Sequence, residues 1–306
     1  MSVDLERDRL AIEMHYNMPE EFFKLFLDKR MSYTCNYFTS EEESLDQASE
    51  NKLHLICKKL DLKPGDRVLD IGCGWGNFLF YAVEKYDVQA TGITLSSAQA
   101  QYIAEETEKR GLNGRVKAEI IHALEMPFAE GTFDKIVTIG AIEHILDLPK
   151  LFQDCRSILT PEGLMLVHGM SKPWKIYVDE RNSPPDDESN FLSEYIFPVG
   201  ELIPLHEIVA ALEKNSFEVI DVENITDHYT LTLSSWLENL QKHEDEVLQT
   251  GLIPAEKLRA QILFLAGCVE YFQTNHNFTY QILVRPFDAY KERTALPLTR
   301  ERLMFR

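Results

Sequence analysis

The sequence has no stretch approaching the ~20 apolar residues that a membrane span needs. Its N-terminus is charged, without the apolar core of a secretory signal. Its five cysteines, at 35, 57, 73, 155 and 268, are odd in number and show no C-x-x-C spacing. That argues against a disulfide framework and a zinc site, predicts no bound metal, and suits a reducing cytoplasm. Positive charge is scarce: 31 Lys and Arg stand against 50 Asp and Glu, a net charge of −19. Such a balance argues against nucleic acid and against electrostatic docking on anionic lipid. Its plainer meaning is solubility. Internal repeats and low-complexity tracts are missing too. What remains is a chain of 306 residues, 44% hydrophobic, long enough for one large core or a core plus a cap.

Within that chain, Val68-Leu69-Asp70-Ile71-Gly72-Cys73-Gly74-Trp75-Gly76 is the most informative stretch. Residues of strand character run into glycines at alternate positions, and an amphipathic run (Phe78, Leu79, Ala82, Val83) follows. Glycine lets the backbone turn sharply and approach a ligand at the positive end of the next helix. The spacing G-x-G-x-G is not the G-x-G-x-x-G of dinucleotide binders, and no G-K-[ST] follows. Asp70 ends the strand, and a second strand, Val88–Thr94, follows at βαβ distance. Together these features read as an S-adenosylmethionine (SAM) site.

Further strands are predicted over 116–122, 135–140, 164–168, 217–222 and 280–284, with helices between most of them. The helix over 95–110 closes at Gly111. The alternation predicts an α/β, Rossmann-like, doubly wound sheet of seven strands, mostly parallel, ending in an antiparallel pair. Residues 1–60 read as a helical N-terminal cap, with Ser44-x-x-Gln47 as a capping box opening a helix that buries Leu53, Ile56, Cys57 and Leu60. The core domain spans 61–286. Substrate-cap segments fall at about 171–205, proline-rich with the acidic run 186–188, and at 230–273. A tail, 287–306, carries Arg293, Arg300, Arg302 and Arg306 and reads as solvated or docked on the body.

Several segments resemble the cyclopropane fatty acid synthase family, which includes the mycolic acid cyclopropane synthases. They are residues 16–28, Ser32-Tyr33-Thr34-Cys35-Asn36-Tyr37-Phe38, the Asp70–Gly76 loop and Gly140-Ala141-Ile142-Glu143-His144. His168, Phe197-Pro198, Asp227-His228-Tyr229 and Leu265-Ala266-Gly267-Cys268 follow in family order. The resemblance runs from about residue 14 to 286. It implies a class I SAM-dependent methyltransferase that transfers a methyl or methylene group to an electron-rich carbon, chiefly the double bond of an unsaturated acyl chain. In the family the alkene attacks the sulfonium methyl and leaves a carbocation, and loss of a proton closes the ring. A bicarbonate ion is thought to take that proton.

The family's anion-site positions map to Cys35 (through its backbone), Glu143, His168 and Tyr229. Those residue types suit an anion site, since Tyr and His donate to an anion and Glu shares a proton. Tyr16, Tyr33 and Phe197 offer ring faces to a cation. The resemblance assigns SAM contacts to Tyr33, Asp70, Gly72, Gly74, Gly76, Thr94, Leu95, Gln99, Ala123 and Leu124. Singly, each site residue has a duller reading: Cys35 and Cys268 as core, His168 as a structural histidine, Glu143 as a solvated helix start, Tyr229 as a loop anchor.

Some residues depart from the family pattern. Thr94-Leu95 ends the second strand where many methyltransferases place an acid, and His122 stands where relatives of the broader fold carry an aspartate. Met170 replaces an isoleucine. The acidic balance favours a soluble or carrier-bound acceptor over a bilayer lipid and leaves peripheral membrane contact open. Two other readings stand beside the acyl one: a small-molecule C- or N-methyltransferase of natural-product metabolism, and a SAM-binding protein without catalysis.

Overall fold

The computed structural model of the chain describes residues 18–183, 200–292, 295–296 and 298–304. Tyr16, the Phe197-Pro198 pair, the acidic run 186–188, Arg293 and Arg306 lie outside the described residues.

Seven strands form one sheet in the order β3-β2-β1-β4-β5-β7-β6. They are β1 (Arg67–Ile71), β2 (Gln89–Thr94), β3 (Val116–Ile120), β4 (Phe133–Ile139), β5 (Leu159–Ser171), β6 (Phe217–Asn224) and β7 (Phe278–Pro286). Strands β1 to β5 pair in parallel, and β7 runs antiparallel between β5 and β6. The expected doubly wound sheet with an antiparallel edge is thus present. The chain order reverses between β1 and β4, which opens a crevice beyond their carboxyl ends.

Both faces of the sheet are covered, as parallel strands require. One layer packs Leu53, Ile56, Phe78, Leu79 and Val83 from α2 (Leu45–Lys59) and α3 (Asn77–Tyr86) against Val68, Val137 and Leu166. The other sets Leu151, Phe152, Ile208 and Leu212 from α5 (Leu148–Ile158) and α7 (Leu205–Lys214) against Leu69, Ile136 and Val167. Adjacent strand residues therefore feed opposite layers, the period-two rule of a strand. The helix α4 (Ser97–Lys109) opens on a Ser96 cap and closes at Gly111 with φ +66°.

A third apolar cluster builds a cap. Phe22 and Phe23 of α1 (Glu20–Lys24) and the adjoining Phe26 meet Trp236 and Leu240 of α8 (Thr226–Lys242) and Leu258 and Leu265 of α10 (Ala255–Gln273), over Trp75 of the glycine loop. The three phenylalanines have no exposed surface, and burial of each contributes about 2 kcal/mol.

The structure corrects several boundaries. Residues 25–44 have no long helix, so the described part of the N-terminal cap is two helices joined by an irregular segment. The capping box is half made: Ser44 Oγ accepts from Gln47 N at 3.2 Å, but the Gln47 side chain turns to Asn51. Helix α8 starts at 226, placing Tyr229 in its first turn rather than on a loop, and breaks at His243 before α9 (Glu244–Thr250). Helix α6 (Trp174–Arg181) is the described helix of the first cap segment, while α7 belongs to the sheet layer.

The tail docks on the body. Leu303 is buried in the first layer, and Lys58 Nζ donates to Met304 O at 3.0 Å. Arg300 pairs with buried Asp221, which also faces the fully buried Lys59, itself paired with Glu223.

Candidate functional site

The site grows from the carboxyl ends of β1 and β4. Strand β1 delivers Asp70 and Ile71 to a turn where Gly72 (φ +76°), Gly74 (φ +52°) and Gly76 (φ +78°) take left-handed backbone. Only glycine adopts that conformation without strain. A Cβ on Gly72 would lie 2.4 Å from the Ala141 Cβ, so the loop and the segment after β4 touch there. At Gly74 nothing lies within 4 Å of a Cβ, because that position faces a cleft.

The cleft has a volume of about 140 Å³, and Tyr33, Asp70, Gly72, Gly74, Thr94, Leu95, Gln99 and Ala123 all line it. Two expected contacts do not. Gly76 instead caps α3 against Ile103 and Phe80, and Leu124 packs into the second core layer. Thr94 Oγ1 donates to Gln99 Oε1 at 2.7 Å and accepts from Ser96 N at 3.1 Å. That bond leaves the Gln99 amide N–H groups as the polar function where many methyltransferases place an acid. His122 lines the cleft and accepts from Leu124 N at 3.1 Å, stiffening the turn after β3.

Asp70 carries the strongest electrostatic signal of the cleft. Its carboxyl is buried, Oδ1 has no hydrogen-bond partner among the described residues, and burial raises its pKa to about 8. An orphaned carboxylate of this kind is restored to its ionised form by a cation, and SAM carries an ammonium and a sulfonium. The glycine turn, the orphan carboxyl and the Gln99 amide therefore fit SAM.

A second, larger cavity of about 820 Å³ adjoins the cleft and shares Tyr33, Thr34, Gly140 and His144 with it. It lies beneath the cap, walled by Trp236 and Leu233 of α8, Leu263, Phe264 and Phe272 of α10, and Tyr177 of α6. Cys35, Glu143, His168 and Tyr229, far apart in sequence, all line this one cavity.

Each stands in a distinct electrostatic state. Glu143 sits in a short 3₁₀ turn after β4; Oε1 accepts from Met170 N at 2.6 Å, while Oε2 is buried without a partner among the described residues. Burial raises its pKa to about 7. It is no solvated helix start. His168, in β5, is held well below its usual pKa by burial and then by the charges of Lys52 and Lys59, so its ring is neutral. Its Nε2 lacks a partner among the described residues. Burial pushes the Tyr229 phenol up, and its ring lies 4.7 Å from that of Phe272 and 6.1 Å from that of Trp236. Burial also pushes the Cys35 thiol up, and its Sγ rests 3.3 Å from the Asn36 carbonyl, so it is no nucleophile. Cys268, read from the sequence as core, is half-buried on the cavity wall.

The structure adds residues that the sequence did not single out. Lys52 is fully buried in α2; its ammonium donates to Ser32 Oγ and, at 2.9 Å, to Thr34 Oγ1. Burial lowers its pKa to about 8, against the charges of Asp28, Cys35 and Asp70. It braces the irregular strip 32–35 that separates cleft from cavity. Tyr33 Oη accepts from Gln261 Nε2 at 2.9 Å, and its ring lies 5.2 Å from that of Trp236. A lysine amid apolar helix residues is the sequence signal for Lys52; nothing local marks Trp236 or Gln261.

A family model described as mycolic acid cyclopropane synthetase matches residues 3–282. A protein of Pseudomonas putida called a probable fatty acid methyltransferase is 36% identical over 304 residues, covering 98% of this chain and 75% of that one. Cyclopropane mycolic acid synthase 1 of Mycobacterium tuberculosis is 32% identical over 271 residues, covering 87% of this chain and 93% of the relative. The solved structure of the mycolic acid cyclopropane synthase CmaA1, complexed with SAH and CTAB, superposes with a TM-score of 0.82 at 29% identity. It covers 90% of this chain and 98% of that one.

Proposed function

The chain belongs to the mycolic acid cyclopropane synthetase family of SAM-dependent methyltransferases, and from that premise we propose that it alkylates the double bond of an unsaturated acyl chain. The observation that carries this reading is the shared wall. A cleft suited to SAM by its glycine turn, Asp70 and Gln99 meets a larger and more apolar cavity across Tyr33, Thr34, Gly140 and His144, so donor and acceptor approach each other through one opening.

SAM, when bound, supplies a methyl group activated by its sulfonium. Asp70 answers the positive charge, Gly72 and Gly74 let the backbone come close, and the Gln99 amide with Thr94 offers polar contacts at the far side. Tyr33, Trp236, Tyr229 and Phe272 present ring faces around the acceptor, where positive charge develops on carbon.

Bicarbonate fits the polar wall. Among the described residues, Glu143 Oε2 and His168 Nε2 are both buried and unpartnered, a costly state unless a ligand completes them. With a pKa near 7, Glu143 can hold a proton for an anion to accept, and the neutral imidazole is a compatible neighbour. Neither atom serves SAM binding, which disfavours a purely SAM-binding protein.

The net charge of −19 favours an acyl chain that arrives free or on a carrier, and no described helix is long and apolar enough to cross a membrane. Five free cysteines agree with a reducing cytoplasm. The test supplies labelled SAM and a monounsaturated acyl chain in three forms: free, carrier-linked and in phospholipid vesicles. Mass spectrometry should show the gain of one methylene on the soluble forms, with a rate that falls in carbonate-depleted buffer. Transfer to a small amine with no acyl transfer refutes the reading in favour of a small-molecule methyltransferase.

A further inference from the structure

We infer that Gln281 is a positioning residue: its side-chain amide donates to Nδ1 of His168, fixes the imidazole as the Nε2–H tautomer and so makes His168 a hydrogen-bond donor on the wall of the acyl cavity. The role of His168 in turnover rests on the function proposed above; the tautomer does not.

Gln281 and His168 are direct partners in the antiparallel register of β7 with β5, so the backbone sets their side chains beside each other. The His168 carbonyl accepts from Gly140 N at 2.8 Å, anchoring the same residue to the loop after β4. Gln281 has no exposed surface, and its Nε2 lies 3.3 Å from His168 Nδ1. Its Oε1 has no partner among the described residues. Turned the other way, the amide would offer its oxygen to Nδ1 and bury an NH₂ group with no acceptor. Buried orphan N–H groups are rarer than under-satisfied carbonyl oxygens, so the observed orientation is the less costly one.

The rest follows from counting protons. The ring is neutral, because burial and the charges of Lys52 and Lys59 disfavour the imidazolium. A neutral imidazole has one N–H and one acceptor nitrogen. Nδ1 accepts from Gln281, so the hydrogen is on Nε2, the nitrogen left without a partner among the described residues. The second ring nitrogen of a functional histidine is set in this way by its outer partner. In this state neither nitrogen has a free lone pair. His168 can hold an oxyanion but cannot itself remove a proton from the alkylated acceptor. That proton must leave on another acceptor, the role proposed for bicarbonate, which becomes carbonic acid.

The test reads the tautomer in the resting protein, with neither cofactor nor acceptor present. Long-range ¹H–¹⁵N spectra of the labelled chain, with His168 identified by loss of its signal in His168→Gln, should show Nε2 protonated and Nδ1 bare. Gln281→Glu, whose carboxylate accepts, should move the hydrogen to Nδ1. Gln281→Met, which offers no donor, should give a mixture. Both variants should lower kcat by about 10–100-fold, the loss usual for an outer partner, with SAM affinity by calorimetry unchanged. A wild-type ring protonated on Nδ1 overturns the inference, as does an unchanged tautomer in both variants. If the tautomer behaves as expected but carbonate removal leaves the rate intact, the bicarbonate assignment falls and the role of Gln281 stands.

Discussion

Replacing Glu143 by glutamine should separate stability from activity in opposite directions. The carboxyl is fully buried, and Oε1 is held by Met170 N at 2.6 Å. Glutamine keeps the shape and that acceptor but cannot ionise. In the folded chain the pKa of Glu143 rises from its ordinary 4.5 to about 7, so between those values the folded state binds more protons than the unfolded one. Stability contributed by the neutral carboxyl is full below pH 4.5 and is lost as the pH rises through 7. At about 1.4 kcal/mol per pH unit, the loss reaches about 3 kcal/mol at alkaline pH. The variant lacks this loss. It should match the wild type near pH 4 and exceed it by about 3 kcal/mol at about pH 8–9. Turnover should instead fall by roughly 10²–10⁴, the usual contribution of acid–base help, with SAM affinity unchanged. Urea unfolding across the pH range, alongside methyl-transfer assays, measures both. Parallel stability curves for the two proteins would refute the buried-carboxyl argument, and full activity would remove Glu143 from the chemistry.

Gly74→Val should abolish SAM binding in calorimetry, because a β-branched residue at φ +52° is strained and its side chain fills the cleft side of the turn. Unchanged affinity would show that the ligand avoids this turn. Lys52→Met should lower stability by about 1–3 kcal/mol in chemical denaturation, since Ser32 Oγ and Thr34 Oγ1 lose their buried donor and the Asp28 and Asp70 carboxyls lose a nearby positive charge. A neutral effect would mean that Lys52 is not charged in the folded chain. Trp236→Leu should weaken turnover more than SAM binding, because the ring borders the acyl cavity rather than the cleft; equal losses would move its role to the cofactor side.

The sequence by itself determined the α/β class, the seven strands and the glycine turn. Those features rest on local rules: period-two apolar runs, helix spacing, and the backbone freedom of Gly72 and Gly74. Its resemblance to a family also named Glu143, His168 and Tyr229, which the fold gathers onto one cavity. Where the rule was less local the reading slipped. Gly76 serves as a helix cap and Leu124 as a core contact, and neither lines the cleft, because what a residue faces depends on the elements packed around it. Cys268 faces the cavity instead of the core for the same reason.

Only the tertiary structure decided the electrostatics. Lys52 lies under the strip 32–35, Gln281 beside His168, and Asp70 is an orphan carboxyl, all through pairings between segments distant in sequence. A pKa shift or a tautomer is set by burial and by what stands within a few ångströms. Neither has any periodicity for a sequence to display.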